Sequence, residues 1–175
     1  MIVTVTVTEP STSSASLPTG PFAQRAEFRS AVLALLDHAA DVDAREIILV
    51  DDDFAEWPLG ERAGIESLGR WIDSRKRLLL FAHRWDDFPR LHMRFVEWRK
   101  PWAHVVQGRA DAEIEAGDTP SLLLVPGHAV LRVLDRPACR GMVSTDPADL
   151  VAARERVDAL LQRATDAFPV TTLGL

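Results

Sequence analysis

Residues 2–8 alternate Val or Ile with Thr, and a period of two predicts a strand with its faces differentiated. The stretch 9–20, rich in Ser, Thr and Pro, reads as a loop. Residues 1–20 are therefore expected to form an N-terminal arm, as a strand or a flexible lead, ahead of a single α/β domain over 21–175. From Pro21 the period changes. Phe22, Ala26, Val32, Leu35 and Leu36 suit a helix running to about Ala40. The short apolar run 47–50 ends in Asp51-Asp52-Asp53 and reads as a buried strand entering a loop. A helix is predicted over 60–74, carrying Ile65, Leu68, Trp71 and Ile72 on one stripe, then a buried strand over 78–82. Phe88, Leu91, Phe95, Trp98 and Trp102 recur every three or four residues, which predicts one more helix that Pro101 ends. A strand follows over 103–107.

The remainder differs in character. Apolar runs at 122–125, 128–134 and 139–144 are separated by Pro-Gly and Arg-Pro turns, and predict three closely spaced strands. A last helix is expected over 147–167. Strands alternating with helices imply parallel pairing through right-handed crossovers. The expected fold is thus α/β, a mixed and mainly parallel sheet with helices on both faces and antiparallel members late in the chain.

Composition narrows the class. The chain has 175 residues, 47% hydrophobic and 26% charged, with a formal charge of −6. These are globular values. The acidic balance argues against non-specific binding to nucleic acid or an anionic membrane, although a local basic patch can survive on an acidic protein. Nucleic-acid binding through Arg90, Arg94 and Arg99 is a further alternative that overall acidity disfavours. Cys139 is the one cysteine, which excludes an intramolecular disulfide and a Cys-rich zinc site. No secretory leader is read at the N-terminus, and no run approaches the roughly 20 apolar residues of a membrane span. A reducing cytoplasm is the expected location. Arg outnumbers Lys 18 to 2, a compositional bias rather than a localised basic patch.

The richest local pattern is at 128–135, His-Ala-Val-Leu-Arg-Val-Leu-Asp, followed by Gly141. It resembles the phospholipase D superfamily signature of His, one residue, Lys, four residues, Asp, then a small residue. His128 and Asp135 hold the outer positions, and Val130 stands where that family has lysine. Gly141 comes one residue early against the usual spacing. The order of elements between Arg45 and Ala164 is likewise similar to one half of that family's fold. In the family a His attacks phosphorus while the Lys two residues on, facing the same side of the strand, offsets the developing charge. Val130 cannot supply that charge. Arg132 shares the face but lies about 13 Å further along an extended strand. The family also needs two such motifs, which a homodimer would bring together.

Asp51-Asp52-Asp53 resembles the opening of a response-regulator receiver domain, yet no Asp ends the third strand and no Lys follows Lys100. A haloacid-dehalogenase-type phosphatase fails in the same way, for it too needs a downstream Lys and an acidic pair. The run reads instead as a solvated, helix-capping loop. Between 83 and 109, Arg90, Arg94 and Arg99 stand among five aromatics, and Arg beside aromatics can grip phosphates or stack on bases. His83, Asp86 and His92 have no spacing that enforces a coordination geometry, so no metal and no cofactor is expected. No Gly-rich phosphate loop and no nucleophile elbow is present.

Trp57–Leu59 and Phe95–Arg99 also resemble patterns in a bacterial family of unassigned activity. Together these resemblances imply a degenerate phospholipase D-like half, acting as a non-catalytic binding or assembly module. Its catalytic candidates are His128 and Asp135, and its anion-binding candidates are Arg132, Arg90, Arg94 and Arg99. A homodimer and a phosphate-containing ligand near His128 are the expected partners. The alternative is a weak metal-independent phosphodiesterase or nuclease acting as a homodimer.

Overall fold

The computed structural model describes residues 17–115 and 117–167. The strand expected over 2–8 lies outside them. The described chain forms an eight-stranded sheet in the order β1-β7-β6-β5-β2-β3-β4-β8. Its strands are β1 (Gly20–Phe22), β2 (Glu46–Asp51), β3 (Arg77–Ala82), β4 (Val106–Ala110), β5 (Ser121–Val125), β6 (Ala129–Asp135), β7 (Arg140–Ser144) and β8 (Thr165–Asp166). The helices are α1 (Arg25–Asp41), α2 (Arg62–Trp71), α3 (Phe88–Leu91), α4 (Met93–Arg99) and α5 (Pro147–Leu161).

Only β2–β3 and β3–β4 pair in parallel. The other five neighbouring pairs are antiparallel, which corrects the expectation of a mainly parallel sheet. The strand–helix alternation extends only through β2, β3 and β4. The chain then returns across the sheet and inserts β5 on the far side of β2, antiparallel, pairing Leu49 with Leu123. All five residues of β5 are buried, so it needs cover on both faces and both edges, and a central slot supplies it.

Period-two alternation divides the core. Ile47, Leu49, Leu78, Leu80, Leu123 and Leu131 face α1, α2 and the α3–α4 aromatics. Ile48, Val50, Leu79, Phe81, Leu122 and Leu124 face Val157 and Leu160 of α5. Helices thus cover both faces, unequally. α5 begins where expected, because the Asp146 side chain accepts the Ala148 N–H at 2.8 Å and Pro147 needs no partner. No helix among the described residues is long and apolar enough to cross a membrane.

The helix expected over 88–102 is broken. His92, at φ −124° and ψ 44°, separates α3 from α4, because its buried ring turns in to meet the Phe54 carbonyl at 3.0 Å. Leu91, assigned to the buried stripe, is 40% exposed as a result. The following strand also starts three residues later than expected, since 103–105 complete the turn after a short 3-10 segment at Lys100–Trp102.

Gly141 finds its explanation in packing. It pairs with Phe22 across β1–β7 and with Val133 across β6–β7. A Cβ there would fall inside contact distance of the Arg132 carbonyl oxygen and the Phe22 ring. Gly141→Ala is therefore expected to destabilise the fold by about 1–3 kcal/mol in urea unfolding.

Candidate functional site at the carboxyl end of the parallel strands

β2 and β3 end side by side, and ligands in α/β folds commonly sit beyond such ends. Here β2 ends in the acidic run. Asp51 and Asp52 are only 6% and 8% exposed, so they are not the solvated loop that the sequence suggests. Asp51 Oδ2 accepts the backbone N–H of Phe54 at 2.8 Å and of Asp53 at 3.3 Å. This Asx-type closure turns the chain sharply, with Phe54 at φ 59°. The Phe54 side chain enters the core and its carbonyl meets His92.

Two arginines from distant segments balance the carboxylates. Arg84, just past β3, places Nη2 at 3.2 Å from Asp52 Oδ2 and 3.3 Å from Asp53 Oδ2. Its backbone N–H donates to the Asp52 carbonyl at 2.9 Å. Arg136, just past β6, lies 3.4 Å from Asp51 Oδ1 and 3.8 Å from Asp52 Oδ2. Its one short bond, 2.6 Å, goes to the Thr119 carbonyl. Asp52 Oδ1, Thr119 Oγ1 and the Nδ1 of His83 are buried without a hydrogen-bond partner.

A cavity of about 270 Å³ opens here. Its polar lining is Asp51, Asp52, Asp53, Glu56, Ser121 and Arg136, and Phe28 and Trp57 contribute to its apolar wall. No histidine lines it. Cys139 reaches it from the β6–β7 turn at φ 49° and is buried.

The sequence-derived candidates lie elsewhere and apart. His128 sits in the β5–β6 turn, where its N–H donates to the Val125 carbonyl at 3.0 Å and its ring meets His38 edge-on at 6.1 Å. Asp135 ends β6 at the opposite end of that strand, about 23 Å away at the extended rise. There it accepts the Ala138 N–H at 3.0 Å and Arg140 Nη2 at 3.1 Å. Val130 is wholly buried beneath α5, so its position faces core rather than solvent. Arg132 pairs with Asp149 at 2.7 Å. The Ser144 hydroxyl and Arg132 together hold the Asp149 carboxyl below its ordinary range. Arg90 pairs with Asp87 at 3.0 Å, and Arg94 donates to the Gly60 carbonyl at 3.2 Å. Arg99 is half-buried on α4, and that burial depresses its pKa. Of the residues the sequence singles out, Asp51, Asp52, Asp53, Trp57 and Cys139 meet at the cavity. Arg84, Ser121 and Arg136 were missed.

No protein-family model matches the chain, and no curated protein matches it. Solved structures do. TrmBL2, described as an archaeal chromatin protein with a novel mode of DNA binding, matches at 14% identity with a TM-score of 0.62, over 89% of this chain. Polyphosphate kinase from Porphyromonas gingivalis matches at 16% identity and TM-score 0.55 over 79% of this chain. NucT from Helicobacter pylori matches at 11% identity and TM-score 0.53 over 86%. The chain spans 56% of the TrmBL2 chain and 24% of the kinase chain, but 99% of NucT. These likenesses show a shared fold.

They also correct one expectation. Net charge argued against nucleic acid, yet a DNA-binding chromatin protein shares this fold across most of the chain. A total of −6 is a sum over the surface, and binding reads local charge within about 10 Å. Net charge is therefore no ground for discounting nucleic acid as a partner.

Burial depresses the His92 pKa below 6.5, against the opposing effect of its bond to Phe54. Because Nε2 donates to the Phe54 carbonyl, it is the protonated nitrogen, while Nδ1 is buried and bare. The unfolded chain takes up a proton near pH 6.5 and the folded chain at lower pH. Stability therefore falls as pH drops through that window, by at most about 1.4 kcal/mol per pH unit. Urea unfolding between about pH 7.5 and 5.5 is expected to show a shallower slope for His92→Gln than for wild type.

Proposed function

We propose that this chain is a non-catalytic phospholipase D-like binding module whose macromolecular partner is nucleic acid. The observation that carries the non-catalytic reading is the cavity itself. Its carboxylates face arginines, its cysteine is buried, and no histidine lines it. Acid–base or nucleophilic phosphoryl chemistry needs an activated group within hydrogen-bond reach of substrate. Ser121 and Thr119 are neutral hydroxyls, and Thr119 Oγ1 has no hydrogen-bond partner to act as its base.

The motif spacing supports the same reading when laid one strand earlier, where it opens at the cavity. Thr119 would then stand for the His, Ser121 for the Lys and Pro126 for the Asp. None is the His, Lys or Asp of that signature, and none carries charge. On this reading His128 and Asp135 serve their turns. The nucleic-acid part rests on the shared fold with TrmBL2 and on the exposed Arg90 and Arg94 beside the α3–α4 break.

Two assays test the proposal. With EDTA present, neither wild type nor His128→Ala should hydrolyse bis-para-nitrophenyl phosphate above the blank. Turnover by wild type that His128→Ala abolishes would instead establish the homodimeric phosphodiesterase. Fluorescence anisotropy should show duplex DNA bound at low salt, weakening steeply between about 50 and 200 mM. Arg90→Glu/Arg94→Glu should lose at least about tenfold in affinity. No binding at the lowest salt would remove nucleic acid as the partner.

A further inference from the structure

The break between α3 and α4 inverts the polarity that packing would set. The polar residue at its centre, His92, is 3% exposed, while its neighbours Leu91 and Met93 are 40% and 69% exposed. The two apolar residues lie within about 7 Å of each other along the chain. Arg90 and Arg94 flank them in sequence and are exposed as well. Two apolar side chains are therefore held at the surface between two cations.

The backbone that presents them is braced. His92 Nε2 bonds the Phe54 carbonyl at 3.0 Å, and Arg94 Nη1 donates to the Gly60 carbonyl at 3.2 Å. Gly60, in the 3-10 turn Pro58–Gly60, packs directly beneath the break. A Cβ there would lie 3.0 Å from the Leu91 carbonyl oxygen and 3.1 Å from the His92 Cα. A side chain presented from such a backbone loses little freedom when it docks.

The flanking arginines are available to an anionic partner. Arg90 pairs with Asp87 at 3.0 Å, but both side chains are well exposed, and a pair of that kind is weak enough to exchange for a phosphate. Arg94 bonds Gly60 through one N–H and has others to spare. Leu and Met are among the side chains that proteins insert between base steps from the minor groove, with Arg beside them. A lipid surface fits less well. Interfacial binding needs a long apolar helical face, and α3 and α4 are four and seven residues long.

We infer that Leu91 and Met93 form a wedge that enters the minor groove of duplex DNA and opens a base step, while Arg90 and Arg94 hold the adjoining phosphates. The inference rests on the nucleic-acid reading above and adds the mode of binding to it. The inward turn of His92 is what sets both apolar side chains outward.

The test uses the full chain and a duplex of about 20 base pairs carrying 2-aminopurine beside a central, easily unstacked TpA step. On binding, wild type should raise the 2-aminopurine fluorescence. It should also shorten the end-to-end distance read by energy transfer, as a bend of at least about 20° requires. Leu91→Ser/Met93→Ser should lose both signals and about tenfold in affinity, with the salt dependence of its remaining binding unchanged. Met93→Ser alone, at the more exposed position, should lose part of the fluorescence rise, and it covers the case in which the double variant fails to fold. Wild-type binding without either signal, or equal signals from the double variant, would remove the wedge and leave the nucleic-acid reading in place. No binding at the lowest salt would overturn both. Binding to phosphatidylserine vesicles that the double variant loses, with no unstacking of DNA, would assign the pair to a lipid surface and contradict the inference.

Discussion

Two adjacent carboxylates buried at the end of a central strand impose the constraint on which this end of the fold depends. Asp51 and Asp52 lie where β2 leaves the core, and moving unpaired charge out of water costs several kcal/mol per ion. The chain meets that cost from three directions. Backbone N–H groups of the following turn fold back on Asp51, Arg84 arrives from β3, and Arg136 arrives from β6. The network therefore ties the parallel half of the sheet to the antiparallel half. It fixes the turn that sends Phe54 into the core and sets its carbonyl against His92. The break between α3 and α4 follows from that contact, as does the exposed position of Arg94 beside Gly60.

Much of the secondary structure is legible in the sequence because it rests on local signals. The apolar runs at 47–50, 78–82 and 122–125 are strands, and the Asp146-Pro147 pair opens the last helix where expected. The sheet's pairing is not local. Whether β5 lies beside β4 or beside β2 depends on which edge can bury a strand apolar on both faces, and periodicity carries no such information. The same limit hid the site. The acidic run was visible as a feature, but its partners lie about 30 and 85 residues away, and only the return of β5 and β6 to the edge of β2 brings Arg136 over it.

The His128 pattern shows the converse. Its spacing matched a known signature, but spacing says nothing about which end of a strand a residue occupies. In three dimensions the two outer residues close turns at opposite ends of β6, and the position between them is buried under α5. The cavity instead receives Ser121, the first residue of β5, whose hydroxyl carries no charge. The cleft at the ends of the parallel strands is lined, among the described residues, by no histidine. Paired carboxylates and arginines stand there instead.

The network across the two halves of the sheet requires that Arg136 and Asp52 be energetically joined. Urea unfolding of wild type, Arg136→Gln, Asp52→Asn and the double variant measures that coupling directly. The account predicts that Arg136→Gln destabilises the protein, that the double variant costs less than the sum of the two, and that the difference is about 1–3 kcal/mol. Strict additivity would contradict it, leaving Arg136 a bystander above two carboxylates held by some other means.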